Sequence, residues 1–289
     1  MIDNSLIPCP FFEGGFSQND VTTIFLGLRD KAYSYFGEQD EVAATCLPNV
    51  KKWHAGTSST RMWGYYDPRW VYPLVVGNVL RGRLIKNNVF DPKYWYQYGI
   101  NGDDELIFIK SKCTEEAYEN EYLIHKEGCV TGIVYHNFSP DEVERYVECH
   151  FNDKRQILQY KYLYLIGEEP SEFALEDYHY DENGYLDIMY EIVLLNADYA
   201  EHPEELYQVP ATKYPWTKKK FIFTHDEEGY FSGYHCIHYY DDILPDEAAW
   251  LAEEPYEIEH VRADFRPTMM TIGKHKVNTH CRTAGPHTP

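Results

Sequence analysis

The sequence is poor in basic side chains and has neither a long apolar run nor a regular cysteine pattern. Its 289 residues include 26 Lys and Arg against 47 Asp and Glu, a formal net charge of −21. A surface of that sign repels phosphate backbones, so direct binding to DNA or RNA is not expected. No stretch approaches the roughly 18 consecutive apolar residues of a transmembrane helix, so no membrane association is expected.

The N-terminus and the cysteines bear on the compartment. Residues 1–6 show neither the basic nor the apolar region of a secretory signal peptide. The seven cysteines are odd in number and form no CxxC motif, so no disulfide framework is predicted. Both observations favour a reducing cytoplasm, the host's cytoplasm if the protein is viral.

Catalytic and metal-binding signatures are also missing. The sequence has no GxSxG elbow and no HExxH motif, and residues 56–61 lack the P-loop pattern. Cys236 and His238 would supply only two ligands to a zinc ion, which takes four. We therefore predict a non-enzymatic protein without catalytic residues, metal or cofactor. Two alternatives stay open: a hydrolase with a site near His54, Ser58 and Arg61, and a carbohydrate-binding module built on the tryptophans between positions 53 and 95.

Charge divides the chain into three predicted regions. Residues 1–100 carry a net charge of +1, residues 101–260 carry −26, and residues 261–289 carry +4. We interpret them as a mixed α/β N-terminal region, an acidic Tyr-rich β domain and a basic C-terminal arm.

The predicted fold class is α+β, mainly antiparallel β-hairpins over about 101–260, with an N-terminal helical or mixed region and an extended C-terminal arm. Apolar residues from Val21 to Tyr35 recur at helical spacing, and Gly37 is the predicted stop. Alternating runs at 158–165 and 186–194 predict strands. Hairpin turns are predicted at Gly128, Gly184 and Gly229, where glycine supplies a positive φ.

The turns and the aromatic cluster supply the candidate binding residues. Residues 180–186 and 225–231 have matching turn sequences, which resemble the turns of YD-type hairpin repeats. Acidic side chains at such tips would be exposed and would attract a basic partner. The predicted partner-binding residues are Asp181, Glu182, Asp226, Glu227, Glu228, Trp63 and Trp70. The predicted self-association residues are His280, Cys281 and Arg282, which would place the basic arm on an acidic neighbouring copy in a homo-oligomer.

The chain length, the acidic middle and the cysteine-bearing basic tail together resemble the layout of phage-encoded anti-defence proteins that inhibit the Gabija nuclease system. The resemblance is one of overall layout and includes no diagnostic motif. It implies a self-associating, non-enzymatic inhibitor that surrounds a basic nuclease and blocks DNA binding or cleavage. An immunity protein of a bacterial toxin is the alternative, because it too would cover a cationic active-site cleft with an acidic surface.

Overall fold

The computed structural model describes residues 18–56, 96–112, 114, 116–153, 156–195, 216–225, 231–239, 269–272 and 275–278. Two helices, α1 (Gln18–Tyr33) and α2 (Gln39–Cys46), precede a short 3-10 turn at Leu47–Asn49. The strands are β1 (Lys52–Gly56), β2 (Tyr96–Ile100), β3 (Leu106–Lys112), β4 (Tyr118–Lys126), β5 (Cys129–His136), β6 (Ser139–Phe151), β7 (Ile157–Ile166), β8 (Glu169–Tyr180), β9 (Leu186–Leu195), β10 (Trp216–His225), β11 (Phe231–Tyr239), β12 (Met269–Ile272) and β13 (His275–Asn278).

The first eleven strands form one antiparallel sheet in which each strand pairs with its neighbours in the chain. Successive connections of such a sheet alternate between its two ends. The prediction of a mainly antiparallel β protein is confirmed at this level, and two helices precede the sheet. The boundary predicted at residue 100 falls inside the sheet, because β1 and β2 pair directly with each other and β2 with β3.

Helix α1 forms where the apolar spacing predicted it. Val21, Phe25, Leu28 and Ala32 are buried on one side of the helix, as residues three and four positions apart share a face. Helix α1 ends at Tyr33, and a turn leads from it to the predicted stop at Gly37. Gly37 adopts a φ of +76° and donates its N–H to the carbonyl of Asp141 at 2.8 Å. The helix thereby packs one apolar stripe against the sheet.

One face of the sheet, which we call the helix face, holds the main core. Ile133, Tyr146, Leu163 and Phe173 follow one another across β5, β6, β7 and β8, and all are buried. The ring of Phe25 from α1 meets that of Phe173 edge-on, with centroids 5.4 Å apart. Burial of these side chains is the main force that holds α1 to the sheet.

The opposite face of the sheet is also buried along much of its length. Tyr98, Tyr160, Met189 and Phe221 lie on this face and are at most 4% exposed. In β9 the alternation in sequence therefore does not separate an inner from an outer face, since Met189 and Ile192 are both fully buried. Strands buried on both faces have near-continuous apolar runs, which matches the sequence of β9.

The hairpin turns follow the predicted chemistry where the structure describes them. Gly128 and Gly184 have φ values of +67° and +86°, as predicted. Gly167 has a φ of +59° between β7 and β8, a turn that the sequence analysis did not single out. Gly229 lies outside the described residues, between β10 and β11, which pair as predicted.

Part of the segment predicted as an extended C-terminal arm is instead a hairpin. Strands β12 and β13 pair antiparallel, with Met270 opposite Val277 and Thr271 opposite Lys276. The sequence analysis did not predict this pairing, and the rest of the predicted arm lies outside the described residues. Neither described helix has the length and apolar character that a membrane crossing requires.

Candidate functional site

Acidic side chains recur in the connections at one end of the sheet. The connections β2–β3, β4–β5, β6–β7 and β8–β9 all lie at this end, because they are alternate connections of an up-and-down sheet. We call their acidic residues the acidic rim: Asp103, Asp104, Glu127, Asp153, Asp181 and Glu182. All are exposed except Asp181, which is partly exposed.

Three of these connections are closed by the same local device. The side-chain oxygen of a first residue, Asn101, Asn152 or Asp181, accepts a hydrogen bond from the backbone N–H four residues later, at 2.8–3.0 Å. The backbone N–H of the same first residue donates to the carbonyl of that later residue, at 2.9 Å in each case. Asn and Asp favour turns for this reason. The exposed acids Asp103, Asp104, Asp153 and Glu182 follow directly on the residues that close these three connections.

Asp181 shows how such a loop uses its first carboxylate. Its Oδ1 accepts from the backbone N–H groups of Asn183 and Tyr185, at 2.9 and 2.8 Å. Desolvation opposes the charged form, but these hydrogen bonds outweigh it and hold the pKa of Asp181 below its ordinary value. Asp181 is thus part of the turn itself, whereas its neighbour Glu182 is exposed.

A second polar cluster lies on the helix face around Glu148, which is 5% exposed. Its carboxylate lies 2.6 Å from Nζ of Lys31 and 3.5 Å from both Nζ of Lys161 and Nε2 of His150. Sγ of Cys129 lies 3.9 Å from the same imidazole nitrogen. We call these five residues the Glu148 cluster.

The charges in the Glu148 cluster shift two pKa values in opposite directions. Burial alone would raise the pKa of Glu148, but hydrogen bonds from His150 and Lys31 and the charge of Lys161 lower it to about 2. Hydrogen bonds with Cys129 and then with Glu148 raise the pKa of His150 to about 9. The carboxylate and the imidazolium are therefore both charged at neutral pH.

The predicted site residues are only partly covered by the structure. Asp181 and Glu182 lie in the β8–β9 turn at the acidic rim, but Asp181 serves first as the turn's hydrogen-bond acceptor. His54 is partly buried in β1. The other predicted residues lie outside the described part of the chain: Asp226, Glu227, Glu228, Trp63, Trp70, His280, Cys281, Arg282, Ser58 and Arg61.

The sequence analysis missed Asp103, Asp104 and Asp153 as members of the same acidic end. The signal that could have found them is an Asn or Asp that stands five residues before the start of a strand, as Asn101, Asn152 and Asp181 do. Among the residues described, no three His, Cys, Asp or Glu side chains are grouped so that they could hold a metal ion.

Comparison with known protein families and with characterised proteins supplies no relative. No family model matches the chain, and no curated protein matches it significantly in sequence.

Proposed function

We propose that the protein is a non-enzymatic inhibitor that docks its acidic rim on a basic nuclease, or on a defence complex that contains one, and so blocks DNA binding or cleavage. The observation that carries this proposal is the repeated loop closed by the side chain of Asn101, Asn152 or Asp181. These loops present exposed carboxylates along one end of a single sheet. A nuclease binds the phosphate backbone with Lys and Arg, so its cleft offers the opposite charge.

The rim is suited to electrostatic docking because its side chains are already displayed on ordered loops. Glu127, Asp153 and Glu182 are exposed and come from three different connections. Little loop ordering is then needed on binding, and pre-organisation of this kind limits the entropic cost of association. Long-range attraction between the net charge of −21 and a cationic cleft would also speed the encounter.

The test compares two triple variants with the same change in charge. The rim variant carries Glu127→Lys, Asp153→Lys and Glu182→Lys and leaves the hydrogen-bonding Asp181 intact. The control variant carries Glu116→Lys, Glu142→Lys and Glu168→Lys, all exposed and located at the opposite end of the sheet. Net charge changes equally in both, so a difference between them reports the location of the interface.

The assay is plasmid cleavage by the purified Gabija nuclease complex, with association rates measured at several salt concentrations. We expect the unchanged protein to inhibit cleavage, the rim variant to associate about tenfold more slowly and with weaker salt dependence, and the control variant to stay close to the parent. Inhibition of a nuclease toxin in place of the Gabija complex would favour the immunity-protein alternative. Equal effects of both variants would refute docking through the rim.

A further inference from the structure

Cys129 lies among cationic side chains in a protein whose net charge is strongly negative. Its Sγ is 3.9 Å from Nε2 of His150, and Nζ of Lys161 lies 3.4 Å from the same nitrogen. Glu148 is the carboxylate of the cluster, and it is shared between Lys31, Lys161 and His150. Three cationic groups therefore surround one carboxylate, with the sulfur beside the imidazole.

The position of Cys129 in the sheet also leaves the residue partly open to solvent. Cys129 is partly exposed and begins β5 directly after the exposed turn at Glu127 and Gly128. The side chain of His150 is 37% exposed. Cys129 and His150 are thus both partly exposed near the same end of the sheet.

The two other cysteines whose side chains the structure describes have contrasting surroundings. Cys149 is buried at 1% exposure. Cys46 has its Sγ 3.0 Å from the carbonyl oxygen of Ile107, and burial raises the pKa of this thiol to about 11. Only a small fraction of Cys46 is then thiolate at neutral pH. These two residues provide internal references for the reactivity of Cys129.

We propose that Cys129 is a reactive thiol that forms mixed disulfides with small disulfide compounds of the glutathione disulfide class. The Cys129 sulfur attacks one sulfur of the disulfide and forms a new S–S bond. The original S–S bond breaks, and its second half leaves as a thiolate. The thiol proton of Cys129 passes to solvent, from which the leaving thiolate can take one up. The disulfide itself is the oxidant, so no further reagent is needed.

The arrangement favours this reaction because the thiolate is the attacking form of cysteine. Cys129 first, and then the Glu148 carboxylate 3.5 Å away, raise the pKa of His150, so the sulfur and the imidazole form a coupled pair. A cation next to a sulfur stabilises the negative charge that develops there as the sulfur attacks. Glu148 fixes the positions of His150 and Lys161 through its contacts with them.

The test follows each cysteine separately in the folded full-length protein. The protein is treated with glutathione disulfide at pH 7, quenched with acid at set times, and analysed by peptide mass spectrometry. We expect the peptide with Cys129 to be modified at least about tenfold faster than those with Cys46 and Cys149. His150→Gln should slow the reaction of Cys129 by about tenfold, because it removes the adjacent cation.

The matched control is His179→Gln, which removes an imidazole from the same face of the sheet. Nε2 of His179 lies 2.7 Å from a carboxylate oxygen of Asp177, and its side chain is 45% exposed. This variant should leave the rate at Cys129 unchanged, and thermal denaturation checks that both variants are folded.

Two results would overturn the proposal: a rate at Cys129 no higher than that at Cys46, or an unchanged rate at Cys129 in folded His150→Gln protein. If His150→Gln does not fold, the comparison of the three cysteines in the unchanged protein decides the question. No nuclease takes part in the experiment, so its outcome is independent of the proposed docking function.

Discussion

Replacement of Glu148 by Gln should destabilise the fold, because the carboxylate joins α1 to the sheet. Lys31 comes from α1, whereas His150 and Lys161 come from β6 and β7. The amide has nearly the same shape as the carboxylate but carries no charge. Glu148→Gln therefore leaves three cationic groups without their shared anion and changes the packing very little.

The size of the effect follows from the charges that surround the carboxylate. They lower the pKa of Glu148 from 4.5 to about 2, which corresponds to about 3 kcal/mol of favourable interaction with the ionised form. Removal of one partner from a buried ion pair costs about 3–5 kcal/mol. Since the side chain of Lys31 is 55% exposed, solvent screens part of the interaction, and we expect a loss of about 2–3 kcal/mol near pH 6.

The dependence on pH distinguishes this charge effect from a loss of packing. The folded-state pKa of Glu148 is depressed, so its contribution to stability is present above pH 4.5 and is lost as the pH falls through 2. The pKa of His150 is raised from 6.5 to about 9, so its contribution is complete below pH 6.5 and is lost as the pH rises through 9. The difference between the parent and Glu148→Gln should therefore be largest between these limits, at about pH 5–6.

The measurement is urea-induced unfolding at pH 3, 6 and 9.5, followed by circular dichroism. Glu127→Gln is the control, because it makes the same chemical change at an exposed position and should shift the free energy of unfolding by less than about 0.5 kcal/mol. A Glu148→Gln protein as stable as the parent at pH 6 would refute the reasoning. A loss of stability that is equal at all three pH values would point to packing and not to charge.

The remaining predictions concern the turn, the core and the C-terminal segment. Gly184→Val should lower the free energy of unfolding by about 1–2 kcal/mol, because a β-branched residue resists the φ of +86°. Gly184→Asn should lower it less in the same urea titration, because Asn tolerates positive φ. Equal losses of stability in the two variants would contradict this cause. Ala32→Leu should lower the free energy of unfolding by about 1–3 kcal/mol, because Ala32 is fully buried where α1 packs on the sheet. A thermal midpoint equal to that of the parent would show that the core accommodates the larger side chain. The proposed self-association predicts that deletion of residues 268–289, and separately Cys281→Glu, lowers the mass measured by light scattering and weakens the proposed inhibition. If both variants keep the parental mass and potency, the segment has no role in self-association.

Local patterns in the sequence were enough to predict α1, the strands around 158–165 and 186–194, and the turns at Gly128 and Gly184. Helical spacing, alternation and the preference of glycine for positive φ all act within a few residues. The same reasoning did not predict the pairing of β12 with β13, because backbone pairing over four residues needs little side-chain pattern. The partner-binding role of Asp181 stays a prediction, and the structure adds that its carboxylate accepts the hydrogen bonds that close its own turn.

The sequence by itself determined the excess of negative charge, the helix, the strands and the chemistry of several turns. Only the tertiary structure decided that alternate turns bring their acids to one end of the sheet, and that Cys129, His150 and Glu148 meet on its helix face. The pairing of Cys129 with His150 depends on the register of β5 and β6, which shifts at irregularities around Tyr135. The contact between Lys31 and Glu148 joins residues 117 positions apart. Neither contact leaves a local pattern, because strand register and helix docking depend on how the whole core packs.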